Sequence, residues 1–352
     1  MRASRGLHLD YLSRTEYQAA RREDVLGVAT FHGPAERTAA PAPVSERPQI
    51  PTADVATPVL ATGSQVYEVW RSGEPTEFGH HQSVFFRRSD ELLFGCIAVG
   101  EDAAAAANGQ DNPPLHAATS QAYLEICATL DAENFPHLVR VWNYVPAINR
   151  DSHGTERYRQ FNTARQDALR ASGRALTGKV PAASALGAAQ DSPLVVYFLA
   201  ARTAPTFVEN PRQVSAYHYP QEYGVHSPVF SRATLLRQPG WLTLFISGTA
   251  SIVGHRSLHI GDVAAQTRET LTNIDALLGE ANRVAPGAAF RREALACKVY
   301  VRHPADLPTV QAELAGAFPR DTRIVYLQAD ICRQDLLVEI EAAGMCSPAG
   351  GT

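Results

Sequence analysis

Glu339 lies inside an apolar run, Leu336-Leu337-Val338-Glu339-Ile340-Glu341, that reads as the last strand of the chain. Side chains alternate across a strand, so Val338 and Ile340 face one way and Leu337 and Glu339 the other. A carboxyl in such a run either sits in water at the strand's end, near Ala342-Ala343-Gly344, or is buried for a purpose. Burial raises a carboxyl's pKa and lets it give up a proton near neutral pH. A preceding strand, Ile324-Val325-Tyr326-Leu327, leads into the turn Ala329 to Asp335, which is expected to place Cys332 in the same hairpin as Glu339. Gly248, within Ser247-Gly248-Thr249-Ala250-Ser251, follows a strongly apolar strand. A glycine there suits close backbone approach to a ligand, or a plain bulge or turn.

A second group of residues suits a small anion. The passage Ser215 to Gly224 holds Tyr217, His218, Tyr219 and Tyr223, and Arg232 follows it. Tyrosine hydroxyls and a guanidinium are the donors a carboxylate needs; a Pro/Tyr-rich linker would have the same composition. Arg302, at the end of the apolar strand Lys298-Val299-Tyr300-Val301-Arg302, could bind a carboxylate bidentately or be a solvated strand end. His255, His259 and Asp262 lie close together, and His80 adjoins His81, but neither group has the His-Glu-x-x-His spacing of a zinc site. There is no phosphate-cradling glycine pattern and no Gly-x-Ser-x-Gly elbow. No metal or cofactor is expected.

The chain has 352 residues, enough for two domains, with 45% hydrophobic and 19% charged residues. A net charge of -4 gives no electrostatic case for nucleic acid or a membrane surface. No apolar run approaches the roughly 20 residues of a spanning helix. Nor does an apolar stretch follow Met1 to Gly6, so no secretory leader is expected. The five cysteines are scattered without a CxxC pair, which suits reduced thiols in a cytoplasm.

These residues must be positioned by alternating strands and helices. Val84 to Arg87 and Leu92 to Val99 read as a hairpin, Glu101 to Asn112 as a loop, and Ala117 to Leu130 as a helix. A strand (Leu138 to Val145), a polar-faced helix (Glu156 to Ala171) and a buried strand (Leu194 to Leu199) follow. The same order recurs: a hairpin of Ala233 to Leu236 and Leu242 to Ile246, a helix capped by Asp262, a strand at Lys298 to Arg302, a helix over Asp306 to Phe318, and the two last strands. The expected fold is α/β (α+β): a diverged repeat of two αβ units, each a mixed sheet backed by helices. We expect an N-terminal extension and loop at 1–62, with a Pro/Thr/Ala-rich mobile passage to about Thr62. The first unit is expected at 63–225 and the second at 226–346.

Several blocks together make the sequence similar to the chorismatase family. They include Arg140-Val141-Trp142-Asn143-Tyr144-Val145, Val196 to Arg202, Glu209-Asn210-Pro211, His218-Tyr219-Pro220, Pro228 to Thr234, Leu244 to Ala250, Lys298 to Arg302 and Asp335 to Glu341. The C-terminal half also resembles the RidA (YjgF) fold, whose subunits end in a similar strand. The resemblance implies a RidA-like C-terminal domain and a degenerate N-terminal one. It further implies action on chorismate without cofactor or metal, with Glu339 as general acid. Arg232, Arg302, Tyr219 and Tyr223 are the candidates for the substrate's two carboxylates.

Hydrolytic members of the family carry Ala where Gly248 and Cys332 stand, and members that make 3-hydroxybenzoate carry Gly and Cys. The resemblance therefore implies a 3-hydroxybenzoate synthase in which Cys332 steers or protonates an intermediate and Gly248 makes room for a tilted ring. The alternatives are the hydrolytic chorismatase, an imine or enamine deaminase, and a RidA-like small-molecule binding module. Against the deaminase, Arg323 is the nearest match to that family's substrate-binding arginine, and its register is poor. Either a monomer or a RidA-like trimer is compatible with the sequence.

Overall fold

The computed structural model describes residues 6–33, 49–62, 64–108 and 112–348. Two six-stranded mixed sheets dominate it. The first contains β5 (Glu77–His81), β6 (Val84–Arg88), β7 (Leu92–Val99), β8 (His137–Pro146), β11 (Ala182–Ala188) and β12 (Leu194–Ala201), in the order β11-β8-β12-β7-β6-β5. A short hairpin of β9 (Asp151–Ser152) and β10 (Thr155–Glu156) follows β8. The second sheet contains β13 (Thr206–Val208), β14 (Ala233–Gln238), β15 (Trp241–Ala250), β18 (Leu295–Val301), β19 (Ile324–Gln328) and β20 (Val338–Cys346), in the order β13-β14-β15-β20-β18-β19. Between β15 and β18 runs the small hairpin β16 (Ile252–Val253) and β17 (Arg256–Ser257).

Matched element by element, the two orders are the same. Each sheet has one parallel pair at its edge, β11 with β8 and β19 with β18, and antiparallel pairs elsewhere. The repeat inferred from the alternation of elements is thus present as a repeat of topology.

Helices back each sheet on one face. α3 (Pro114–Ala132) and α4 (Arg157–Ala171) close one apolar core over the first sheet, with Ile126, Leu130, Phe161, Val141 and Phe198. α5 (Val263–Val284) and α6 (Leu307–Ala315) close another over the second, with Ile274, Leu277, Val310, Val299 and Ile340. Asp262 caps α5 by accepting from the Ala265 N–H. The opposite faces of the two sheets meet in a third core rich in aromatics, among them Phe94, Trp142, Tyr144, Tyr197, Phe245 and Tyr300. No helix among the described residues is long and apolar enough to cross a membrane.

Several elements differ from expectation. Glu101–Asn108 is a helix, α2, because the Ala run outweighs the expected loop and the acidic Glu101 and Asp102 suit its first turn. β11 went unread: Ala182-Ala183-Ser184-Ala185-Leu186-Gly187-Ala188 lacks the branched residues that mark strands. Its small side chains are required by crowding, since a Cβ on Gly187 would lie 2.7 Å from Asp330 Cβ. β19 and β20 form no hairpin; β18 lies between them, and residues 329–337 cross over its end. β20 does not stop at Ala342 but pairs through Gly344 to Cys346.

The N-terminal region builds a third sheet. β1 (His8–Ser13), β2 (Val25–Phe31), β3 (Thr52–Val55) and β4 (Val66–Arg71) align as β1-β4-β2-β3, with α1 (Arg14–Ala19) after β1. Residues 39–48 of the passage read as mobile lie outside the described residues, but Thr52–Val55 is a paired strand and Val55 is fully buried. Beyond β3 the chain runs along β19: Leu60 N–H donates to Tyr326 O and Gln328 N–H to Pro58 O, both at 2.8 Å.

Strand register makes the repeat specific at the residue level. Tyr144 is opposite Leu186 and Val195, and Leu186 bridges to Ile331. Tyr300 is opposite Leu327 and Glu339, and Leu327 bridges to Val59. Tyr144 and Tyr300 are thus counterparts, and their hydroxyls meet at 2.7 Å. Val195 occupies the place in the first unit that Glu339 holds in the second, and Val59 the place of Ile331.

Candidate active site

A cavity of about 310 Å³ opens between the two units. Its walls are β11 (Ala183, Ser184, Ala185), the end of β15 (Gly248, Ala250), Glu339 of β20, the crossover residues Cys332 to Asp335, Tyr158 and Arg165 of α4, and Tyr219, Tyr223, Phe230 and Arg232. Six of the seven residues singled out in the sequence are brought together here: Glu339, Cys332, Gly248, Arg232, Tyr219 and Tyr223.

Arg302 is not among the lining residues, and its donors are consumed within the protein. Its Nε donates to Leu336 O at 2.8 Å; Nη1 donates to Asp330 Oδ1 at 2.7 Å and Asn149 Oδ1 at 3.0 Å. Nη2 donates to Ile331 O and Arg333 O at 3.1 and 2.8 Å. The expected ligand arginine is therefore a clamp that shapes the crossover carrying Cys332 and Arg333.

Glu339 is 4% exposed, and among the described residues no hydrogen bond is donated to its carboxyl. Burial, and then the negative Glu341, push its pKa up to about 8 against the opposing pull of Arg140, Arg302 and Arg232. It is protonated at neutral pH. Glu341, on the same face of β20, behaves oppositely. It accepts from Trp142 Nε1 and Arg140 Nη2 at 2.8 Å, from Lys298 Nζ at 2.6 Å, and from Ser184 Oγ. Burial disfavours its charge, but Lys298 and Arg140 outweigh that and hold its pKa below the usual value. Two carboxyls separated in this way suit one proton donor and one fixed anion.

Gly248 lies in a β-bulge, where the pairing of β15 with β20 shifts between Ile246 and Thr249. A Cβ at this position would lie 1.9 Å from Glu339 Oε1 and 2.7 Å from its Cδ. The room it leaves is taken by the acid itself, not held open for a ring. Ser247, beside it, pins the bulge to the other unit by accepting from the Ala183 N–H at 2.9 Å and donating to Ser231 O at 2.6 Å. The Cys332 pKa is raised to about 12, first by burial and next by Glu339, so this group is a thiol and not a thiolate at neutral pH.

The cationic side of the cavity is larger than the sequence suggested. Arg232, 4% exposed, donates from Nη2 to Tyr219 OH and Val214 O at 2.7 Å, while its Nε has no acceptor. Arg333 lies 4.0 Å from the Tyr223 ring centroid and 5.1 Å from that of Tyr219. Its Nη1 donates to His255 O, and its Nη2 lacks an acceptor. Arg165, 3% exposed, donates from Nη2 to Asn162 Oδ1 at 3.0 Å and has a free Nε. Arg165 and Arg333 were missed. The signal for Arg165 was its spacing: Tyr158, Phe161, Arg165 and Ala168 form one stripe of α4, the packed face of a helix that otherwise reads as polar.

The chain is similar to known proteins over most of its length. The family described as "Chorismatase FkbO/Hyg5-like, N-terminal" matches residues 68–200. A chorismatase of Streptomyces rapamycinicus is 40% identical over 282 residues, 78% of this chain and 80% of that protein. A 3-hydroxybenzoate synthase of Streptomyces hygroscopicus is 36% identical over 299 residues, 82% of this chain and 84% of that protein. A crystal structure of a chorismatase superposes with a TM-score of 0.84 at 32% identity, covering 96% of this chain and 98% of that one. With relatives this similar over most of its length, the chain belongs to the chorismatase family.

Proposed function

We propose that the protein converts chorismate to 3-hydroxybenzoate and pyruvate, with Glu339 as general acid. The observation that carries this reading is a buried carboxyl that accepts no hydrogen bond among the described residues, its pKa pushed up by burial, in a cavity lined by Arg165, Arg232 and Arg333. Chorismate is a dianion with an enolpyruvyl ether at ring C3 and a hydroxyl at C4. Arg232 with Tyr219, Arg333 with Tyr223, and Arg165 bind its two carboxylates; charge-assisted contacts of this kind are strong when sheltered from water.

Glu339 gives its proton to the enolpyruvyl group as the C3–O bond breaks. The C4 oxygen bonds to C3 in place of water as its hydroxyl proton passes to the Glu339 carboxylate, giving an arene-oxide-like intermediate, and pyruvate leaves. Cleavage of the C4–O bond with loss of the ring proton from C3 yields 3-hydroxybenzoate. No water is consumed, and every atom of chorismate is found again in the two products. Cys332, as a thiol, donates toward the migrating oxygen. The Gly and Cys at 248 and 332 support this outcome over hydrolysis to the dihydroxycyclohexadiene carboxylate.

The test is product analysis after incubating purified protein with chorismate. Equimolar pyruvate and 3-hydroxybenzoate are expected. Pyruvate with the diene diol overturns the subtype, and binding without pyruvate release overturns the enzyme reading.

A further inference from the structure

We propose that Glu341 is a positioning residue for the reaction: a pinned anion behind the acid, which keeps Glu339 in its proton-bearing form and fixes the cavity wall at Ser184. This rests on the reading of Glu339 as the acid. Glu341 is not among the residues that line the cavity described above, yet it shares a strand face with Glu339 two residues away. It is the hub of a buried network drawn from all three sheets. Lys298 Nζ lies 2.6 Å from both Glu341 Oε1 and Glu68 Oε2, and donates to Tyr197 OH at 2.7 Å. Arg140 Nη2 donates to Glu341 Oε2 and to Ser184 Oγ, and Ser184 lines the cavity.

Charge balance gives the network its function. Arg140 and Lys298 are matched by Glu68 and Glu341, all four at most 3% exposed. Within the network the charges balance, so the pull of Arg140 on the Glu339 proton is set against the push of Glu341. The other charged or titratable groups around the acid are Cys332, Arg333 and Asp335 of the crossover, Arg302 after β18, Arg232 before β14, Tyr158, Tyr219 and Tyr223, and Arg159, Arg165, Glu156 and Glu222 toward the mouth. Removing the Glu341 charge leaves two cations against one carboxylate behind Glu339, so the acid ionises at lower pH. A buried network of this type is a poor source of stability compared with apolar packing, which gives it little reason to exist for folding alone.

The experiment is the pH profile of kcat for Glu341→Gln beside the wild type. The limb on which activity falls with rising pH is expected to move down by about one pH unit, with KM little changed. The double variant Glu341→Gln/Lys298→Met restores neutrality with Arg140 and Glu68, and is expected to return the limb toward its original position. An unmoved limb in a folded Glu341→Gln, or a limb that the double variant leaves displaced, overturns the proposal. Should Glu341→Gln fail to fold, Glu68→Gln removes the same charge from the far side of Lys298. A downward shift then supports the proposal, and no shift overturns it. Full activity in Glu339→Gln would instead overturn the acid assignment, so the two failures are distinguishable.

Discussion

The Glu339 carboxyl occupies the space that a side chain at residue 248 would need: Oε1 lies 1.9 Å from where a Cβ on Gly248 would stand. The smallest possible substitution in one strand therefore relocates the proton donor of its neighbour. The clash is with the end of a flexible side chain, so the fold survives and the acid moves.

Gly248→Ala is accordingly expected to leave the melting temperature within a few degrees of wild type. It should lower kcat about 10-fold or more, since general acid catalysis depends on reach. Combined with Cys332→Ala it is expected to shift product toward the diene diol, read by chromatography of the reaction. An unchanged product ratio in the double variant removes the argument from these two positions.

Glu339→Gln is expected to reduce turnover by about 10²-fold or more while stabilising the protein. The acid's folded pKa of about 8 lies above its unfolded value, so the folded state holds a proton that the unfolded state has released. Stability from this group is complete below about pH 4.5 and is lost as pH rises toward 8. The gain in melting temperature of Glu339→Gln over wild type should therefore be larger at pH 8.5 than at pH 5. An equal gain at both values contradicts the raised pKa.

Glu341 acts in the opposite direction. Its depressed pKa adds stability that is present above about pH 4.5 and disappears as pH falls below it. A melting series should show acid destabilisation that Glu341→Gln lacks, on top of a lower melting temperature throughout.

Arg302 and Arg232 are expected to separate cleanly. Arg232→Gln removes a carboxylate ligand and should raise KM for chorismate by 10-fold or more with little change in melting temperature. Arg302→Gln breaks four hydrogen bonds to the crossover and one to Asn149, and should lower both melting temperature and kcat. A KM effect confined to Arg302 would reverse the two assignments.

Much of this site was legible in the sequence because its chemistry is written in isolated departures from pattern. Glu339 interrupts an apolar strand, Gly248 ends one, and Tyr219, Tyr223 and Arg232 crowd a Pro-rich passage. Arg302 was misjudged because an arginine at a strand end looks the same whether its donors reach a ligand or five protein acceptors. β11 was invisible because a strand serving as a cavity floor needs small residues, which carry no strand signature. The crossover over β18 was misread as a hairpin because two adjacent strand patterns do not reveal which strand comes between them. Arg165 was hidden by the overall polarity of α4, although its heptad-like spacing placed it on the buried face.

The stretch from Ala56 to Leu60 lies against Leu327 as the crossover lies against Leu186, and it faces a unit that has Val195 where an acid would stand. A molecule with two like halves could be expected to offer two berths. Here the second has Val195 in the acid's place, so it has no acid to work with. Titration with an unreactive dicarboxylate should accordingly saturate at a single equivalent per chain, and the ancestry of the paired architecture survives as scaffolding for one chemical event.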